Sequence, residues 1–390
     1  MANRLIEKFL NLFRQDEVYK MNQTNAEETL ANIFAAAGKE PSTQSLDKLL
    51  PEKGKSGNRR TPVILMTVFA VGILILLLIL LLSGCGASAS EAEDEAAKEA
   101  ARAKLQAEAA ANIKTGVGTR DNTPVCLVPE APGLVVFGNE LAEIDMSNAG
   151  EGYIVVSYLG DCPKVKLQIT GPNEVTYTFN CKGGGVGEVF PLAAGSGTYQ
   201  VSVYENIEGS QYATAYTHEI EVEQLDPTRV FLYPNQYVDF DASSEAVAKG
   251  QELAAPCSDD LEVVANVYNY LLSAITYDEE EAKTVQSGYI PDVDDVLRRG
   301  TGICLDYSAL MATMLRSQRI PTRLEIGYAG IAYHAWISTY ITDVGWVNGI
   351  VQFDGEDWQL MDPTFAANAT EGDLKSFIGS GDNYELKYSY

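Results

Sequence analysis

Hydrophobic and polar positions change period several times along the chain. From Val63 to Leu82, VILMTVFAVGILILLLILLL, twenty consecutive residues carry no charge. At about 1.5 Å rise per residue such a run covers the ~30 Å hydrocarbon core of a bilayer, so a transmembrane helix over 61–82 is expected rather than a buried core helix. Within residues 1–60, RLIEKFLNLF has Leu5, Phe9, Leu12 and Phe13 at helical spacing. It suits either an inner membrane face or a nascent helix in a disordered tail. Residues 83–120 include SEAEDEAAKEAARAKLQAEAAANIK, whose apolar positions are almost all alanine. That is the composition of a semi-rigid helical linker with little to bury, and it lacks the large a/d residues of a coiled coil.

Period two begins near Pro124. GYIVVSYLG, KVKLQIT, VTYTFN, GTYQVSVYEN and HEIEVEQL are β-prone runs broken by Gly, Pro and Asn. Ile220, Val222 and Leu225 mix with Glu219, Glu221 and Glu223, which gives one buried and one solvated face. Strands at this spacing predict an immunoglobulin-like β-sandwich over 121–225. A two-residue turn at Pro172-Asn173 would set Gly171 opposite Glu174 and make Cys162 and Cys181 diagonal neighbours. That spacing leaves a disulfide and a pair of free thiols both open.

Over 226–390 the pattern is mixed. Leu261, Val264, Tyr268, Leu271 and Ile275 form one face of a helix, with Ser258 placed to cap it and Asp259 and Asp260 in its first turn. PDVDDVLRR is a short helix with Gly300 as its stop, and GICLDYSALMATMLR is a second helix ending before Ile320-Pro321. TRLEIGYAG, YHAWISTYI, VQFDG and EDWQLMDP follow as strands, with a turn at Asp354-Gly355. Helices followed by an antiparallel sheet are α+β.

Charge orients the molecule. Lys53, Lys55, Arg59 and Arg60 precede the apolar run, and Glu91, Glu93, Asp94 and Glu95 follow it. Residues 1–60 carry 10 basic and 8 acidic side chains, whereas 83–390 carry 18 and 46. The positive-inside rule places 1–60 in the cytoplasm and everything beyond the run outside, as a single-pass cell-membrane protein. The total of −26 argues against nucleic acid as a partner. Leu82-Ser83-Gly84-Cys85 has the look of a lipobox, but sixty residues precede the apolar run, which favours an uncleaved anchor over lipidation at Cys85. None of the six cysteines forms a C-x-x-C pair and only two histidines occur, so neither a metal site nor a cofactor is expected.

The candidate chemistry is a thiol, an imidazole and a carboxylate in chain order: Cys304, His334 and Asp362. Cys304 opens a helix just after Gly300-Thr301-Gly302, where the dipole favours thiolate and unpaired N–H groups can hold an oxyanion. His334 supplies a base, and Asp362 a group to fix its tautomer. His218 stands among glutamates and reads as a surface histidine.

The strings GICLDYSALMATMLRSQRIPTRLEIGY, YHAWISTY and WQLMDPTF resemble the transglutaminase-like domains of bacterial and archaeal proteins, over roughly 255–380. The resemblance implies a papain-like α+β core, with Cys304 as nucleophile, His334 as base and Asp362 completing the triad. Papain-type peptidases carry a glutamine before the cysteine, and the stretch Leu297–Ile303 has none, so the second oxyanion donor is unassigned. Tyr277 and Trp336 are candidates to line the site, with packing roles as the alternative. The expected function is extracytoplasmic thiol acyl transfer on amide bonds of protein or peptide substrates at a cell surface or wall, with water as acceptor. Protein-glutamine cross-linking and a non-catalytic binding module are the alternatives.

Overall fold

A computed structural model of the chain describes residues 96, 99–100, 102–104, 106–329, 332–342, 344–348, 351–353, 358–360 and 384–390. All belong to one compact unit, Ala87–Tyr390. The expected span 61–82, the segment 1–60 and Cys85 lie outside these residues. Among the described residues no helix is long and apolar enough to cross a membrane.

The five period-two runs all form strands, and three strands that were not expected, over 136–138, 142–145 and 187–191, join them. They are β1 (Val136–Gly138), β2 (Ala142–Asp145), β3 (Tyr153–Tyr158), β4 (Val165–Thr170), β5 (Thr176–Cys181), β6 (Gly187–Pro191), β7 (Gly197–Glu208) and β8 (Gln211–Val222). They build two four-stranded antiparallel sheets, ordered β1-β2-β3-β6 and β5-β4-β7-β8. In β4 alternation is strict: Val165, Leu167 and Ile169 are buried, and Lys166, Gln168 and Thr170 only partly. His218 is not isolated: its ring stacks on Phe137 of the other sheet, with centroids 3.9 Å apart.

The β4–β5 register differs from the two-residue turn. Val165 opposes Cys181 and Thr170 opposes Thr176. Gly171 O accepts from Glu174 N at 3.0 Å, and Glu174 takes a left-handed φ of 62°. The loop therefore has three residues, the third in the conformation that closes a bulged hairpin. One extra residue moves Cys181 off the diagonal from Cys162, and both are free thiols.

Beyond the sheets come α1 (Glu245–Ala254), α2 (Asp260–Ala274), β9 (Thr276–Tyr277), α3 (Glu279–Thr284), α4 (Val293–Arg299), β10 (Thr301–Gly302) and α5 (Cys304–Ser317). Then follow β11 (Thr322–Ala329), β12 (Ala332–Ile341), β13 (Gly345–Asn348), β14 (Val351–Phe353), β15 (Trp358–Leu360) and β16 (Tyr384–Ser389). This is a mixed α/β unit. The cap of α2 is Asp259, whose carboxylate accepts from Glu262 N at 2.9 Å, one residue beyond the expected Ser258. α4 ends as expected on Gly300, at φ 65°. The sheet order is β13-β12-β11-β16. β13 and β16 had no counterpart among the expected strands. β14 and β15 pair with each other, so the run toward Asp362 does not ladder onto the His334 strand among the described residues.

The sheets and the helices share one buried core. An aromatic cluster joins them: Tyr390 lies 5.5 Å from Tyr177, 5.9 Å from Phe179 and 4.5 Å from Tyr237, between ring centroids. Residues 114–125, expected partly as linker, run as a strap over the helices. Lys114 N donates to Asn266 Oδ1 at 2.7 Å, Gly118 N to Ala255 O at 2.8 Å, Arg120 N to Cys257 O at 3.1 Å and Val125 N to Ser317 O at 2.8 Å. Lys114 and Arg120 add ion pairs to Glu262 and Asp260, both on α2.

Candidate active site

Cys304 is the first residue of α5, half-buried. The residue before it, Ile303, occupies the cap position and has no side-chain acceptor, so the first N–H groups of the helix are not consumed by a cap. Cys304 and Leu305 direct their N–H groups at the Cys304 sulfur, and so does Ala335 of β12. Ala335 immediately follows His334. The contact seats the thiol on the strand that carries the histidine.

The strand pair β11–β12 fixes His334 in place. His334 opposes Gly327, and Trp336 opposes Glu325. A Cβ on Gly327 would come within 2.9 Å of the Trp336 ring and closer still to the Glu385 carbonyl, so the position requires glycine. Trp336 is 4% exposed, its ring centroid lies 6.3 Å from that of His334, and its side chain bonds Glu325. It therefore packs beside the histidine and braces it. His334 is 7% exposed, and burial lowers its pKa to about 4. At neutral pH the imidazole is uncharged and able to accept a proton.

The surroundings of Cys304 work against the thiolate that the helix end favours. Burial pushes the Cys304 thiol above its ordinary value; the three N–H groups oppose that shift, and the Asp306 charge adds to it. Desolvation outweighs the helix end and favours the thiol.

Tyr277 reaches the same sulfur from another direction. β9 pairs in parallel with β10, Gly302 opposite Tyr277, and Asp278 N donates to Gly302 O at 3.0 Å. This short ladder sets the Tyr277 hydroxyl against both the Cys304 side chain and its backbone N–H. Burial raises its pKa, so it is a neutral donor.

Asp306 was not singled out by sequence. It is fully buried in the first turn of α5. Its carboxylate accepts from Ile303 N at 2.9 Å, Tyr289 Oη at 2.7 Å and Arg299 Nη2 at 3.2 Å. A Cβ on Gly302 would lie 2.7 Å from Asp306 Cβ, so that glycine makes room for the carboxylate. The signal available in sequence was an acid two residues after the cysteine, at the third helical position, where an acid can reach back to the cap N–H.

The structure thus brings Cys304, the His334 strand and Tyr277 together. Asp362 lies outside the described residues. Among the described residues no cluster of His, Cys, Asp and Glu fits a metal ion.

Residues 247–349 match the family model of the Transglutaminase-like superfamily. Among solved structures the chain is similar to a candidate protease from Parabacteroides distasonis, at 17% identity over 46% of this chain and 36% of that one, TM-score 0.23. It is also similar to a candidate cysteine protease from Cytophaga hutchinsonii, at 12% identity over 66% and 74% of the two chains, TM-score 0.28. A third likeness is to a transglutaminase from red sea bream, at 15% identity over 54% and 48%, TM-score 0.20. The chain spans little more than a third of the first of these proteins. No curated protein matches it.

Proposed function

We propose, from the transglutaminase-like domain that the chain carries at residues 247–349, that it is a thiol acyl-transfer enzyme acting on amide bonds of protein or peptide substrates. The observation that carries the reading is the contact of the Cys304 sulfur with the N–H of Ala335, next to His334. In this reading neutral His334 takes the thiol proton as the sulfur attacks the amide carbonyl. The S–C bond forms, and the oxyanion is held by the Cys304 N–H and the Tyr277 hydroxyl. Collapse breaks the C–N bond, and the imidazolium gives its proton to the departing amine. Water then attacks the acyl-thioester, His334 takes its proton, and the carboxylic acid leaves as the thiol is restored. Asp362 is assigned to fix the His334 tautomer.

The reading extends to the rest of the chain. Val63–Leu82 anchors it once in the membrane, and the two sheets act as an immunoglobulin-like sandwich that positions the catalytic part outside the cell, against surface or wall peptides.

The test is incubation of residues 87–390 with a glutamine-containing peptide, with and without a primary amine, read by mass spectrometry. Cleavage or deamidation that disappears in Cys304→Ala supports hydrolysis. Amine incorporation would move the assignment to cross-linking. An unmodified peptide, across a library of cell-surface peptides, would leave a binding module and sink the enzymatic reading.

A further inference from the structure

The first turn of α5 is held from below. An ordinary helix start is capped by the side chain of the residue before it, which accepts the N–H groups of the second or third helical residue. Here the Ile303 side chain offers no acceptor, and the capping bond runs the other way: Ile303 N donates to Asp306 Oδ2 at 2.9 Å. We propose that Asp306 is a positioning residue for the nucleophile: through Ile303 N it fixes the turn whose Cys304 and Leu305 N–H groups face the sulfur. The inference rests on Cys304 being the reacting group.

Three further contacts show that the carboxylate is built in. Tyr289 donates to Oδ1 at 2.7 Å from the segment between α3 and α4. Arg299, the last residue of α4, donates to Oδ2 at 3.2 Å and bonds Glu281 of α3 at 3.0 Å. Gly302 is bare where a Cβ would collide with Asp306. One buried carboxylate thus ties α5 to α4 and to the 285–292 segment, and any shift of these elements reaches Cys304 through a single turn of helix. The groups that face the Cys304 sulfur among the described residues are Tyr277 from β9, Asp306 from its own helix and the Ala335 N–H beside His334 on β12. Those that face Asp306 are Tyr289, Arg299 and Glu281. The carboxylate also places a negative charge near the sulfur, which opposes thiolate formation.

The experiment uses the full chain and two readouts. One is kcat and KM on the peptide found above. The other is the pH profile of iodoacetamide alkylation at Cys304, followed by peptide mapping, which needs no turnover. Asp306→Ala is expected to lower kcat about a hundredfold with KM within about twofold, as for a misplaced reacting group. Asp306→Asn keeps the acceptor for Ile303 and is expected to recover about tenfold of that loss. It also removes the charge, so the alkylation profile of Asp306→Asn should move to lower pH. Tyr289→Phe, which removes a single hydroxyl, should lower kcat by about three- to tenfold at unchanged KM. If Asp306→Ala does not fold, Asp306→Asn and Tyr289→Phe carry the test alone.

The proposal is overturned if Asp306→Asn has the parent's alkylation profile. It is equally overturned if Tyr289→Phe, or a folded Asp306→Ala, keeps the parent's kcat. Full turnover in Cys304→Ser would instead sink the nucleophile reading, while the alkylation profile would still report whether Asp306 governs the sulfur.

Discussion

The two ends of α5 are built on opposite plans. At the C-terminal end every carbonyl from Met314 to Gln318 has a donor: Ser317 Oγ on Met314 O, Gln318 N and Ile320 N on Leu315 O, Arg319 N on Arg316 O, Val125 N on Ser317 O, and Arg120 Nη2 on Gln318 O. Arg316 is fully buried there, and its guanidinium spans Thr322 O at 2.9 Å, Tyr233 O at 2.6 Å and Tyr390 O at 2.7 Å. Its pKa falls to about 9 through burial alone. At the N-terminal end Ile303 N is taken by the Asp306 carboxylate, and the next N–H groups face the Cys304 sulfur and the Tyr277 hydroxyl. A helix can leave one end open for chemistry when the other end is locked into three parts of the fold.

Cys304→Ala strikes the open end hardest. It should reduce turnover by about four to six orders of magnitude, as loss of a nucleophile does, while leaving the thermal midpoint nearly unchanged. A stability loss as large as that of a core cavity would show that the open end is packed like the locked one. Arg316→Ala strikes the locked end. Three carbonyls lose their donor in a fully buried site, and urea denaturation should report a loss of about 3–5 kcal/mol. A change below about 1 kcal/mol would remove the basis of the contrast.

Acidification probes the partner of the open end. The folded pKa of His334 is about 4 against an ordinary 6.5. Between these values the unfolded chain binds the proton and the folded one does not, so stability is full above pH 6.5 and falls as pH drops toward 4. The expected cost is roughly 3 kcal/mol, and it should shrink in His334→Gln. By the same shift the acid limb of kcat/KM should lie near pH 4, and a limb at pH 6.5 would contradict the burial of the base. Tyr277→Phe is the mildest lesion. It removes one oxyanion donor and should lower kcat about ten- to a hundredfold with KM little altered. An unchanged kcat would return Tyr277 to a packing role.

What sequence conveyed about these two ends was unequal. The helix itself, its start at Cys304 and its stop before Pro321 were legible because apolar period and glycine or proline punctuation are local signals. The strands around His334 were legible for the same reason, and the family strings named Cys304 and His334. Tyr277 was legible only as a candidate, because a two-residue parallel ladder to Thr301-Gly302 leaves no periodic trace. Asp306 was overlooked because an acid in a first turn usually faces solvent, and only the approach of Tyr289 and Arg299 makes this one internal. The strap had no signal, since it binds mostly through backbone groups and its residues show no period. β16 alternates well enough, but whether YELKYS is a strand depends on β11, more than fifty residues earlier. The hairpin register slipped by one residue because Glu174 takes a left-handed conformation that glycine or asparagine usually fills.

The strap has a mechanical consequence. Tension applied at Ala109, itself 2% exposed against the helical core, meets the Lys114–Asn266, Gly118–Ala255 and Arg120–Cys257 bonds one after another. It therefore enters through α2 and the turn that joins it to α1. Arg120, through its guanidinium on Gln318 O, and Val125, through its N–H on Ser317 O, transmit load to the foot of α5. A pull from the N-terminal side therefore meets the helices that hold the thiol first, and reaches the two sheets through the core they share.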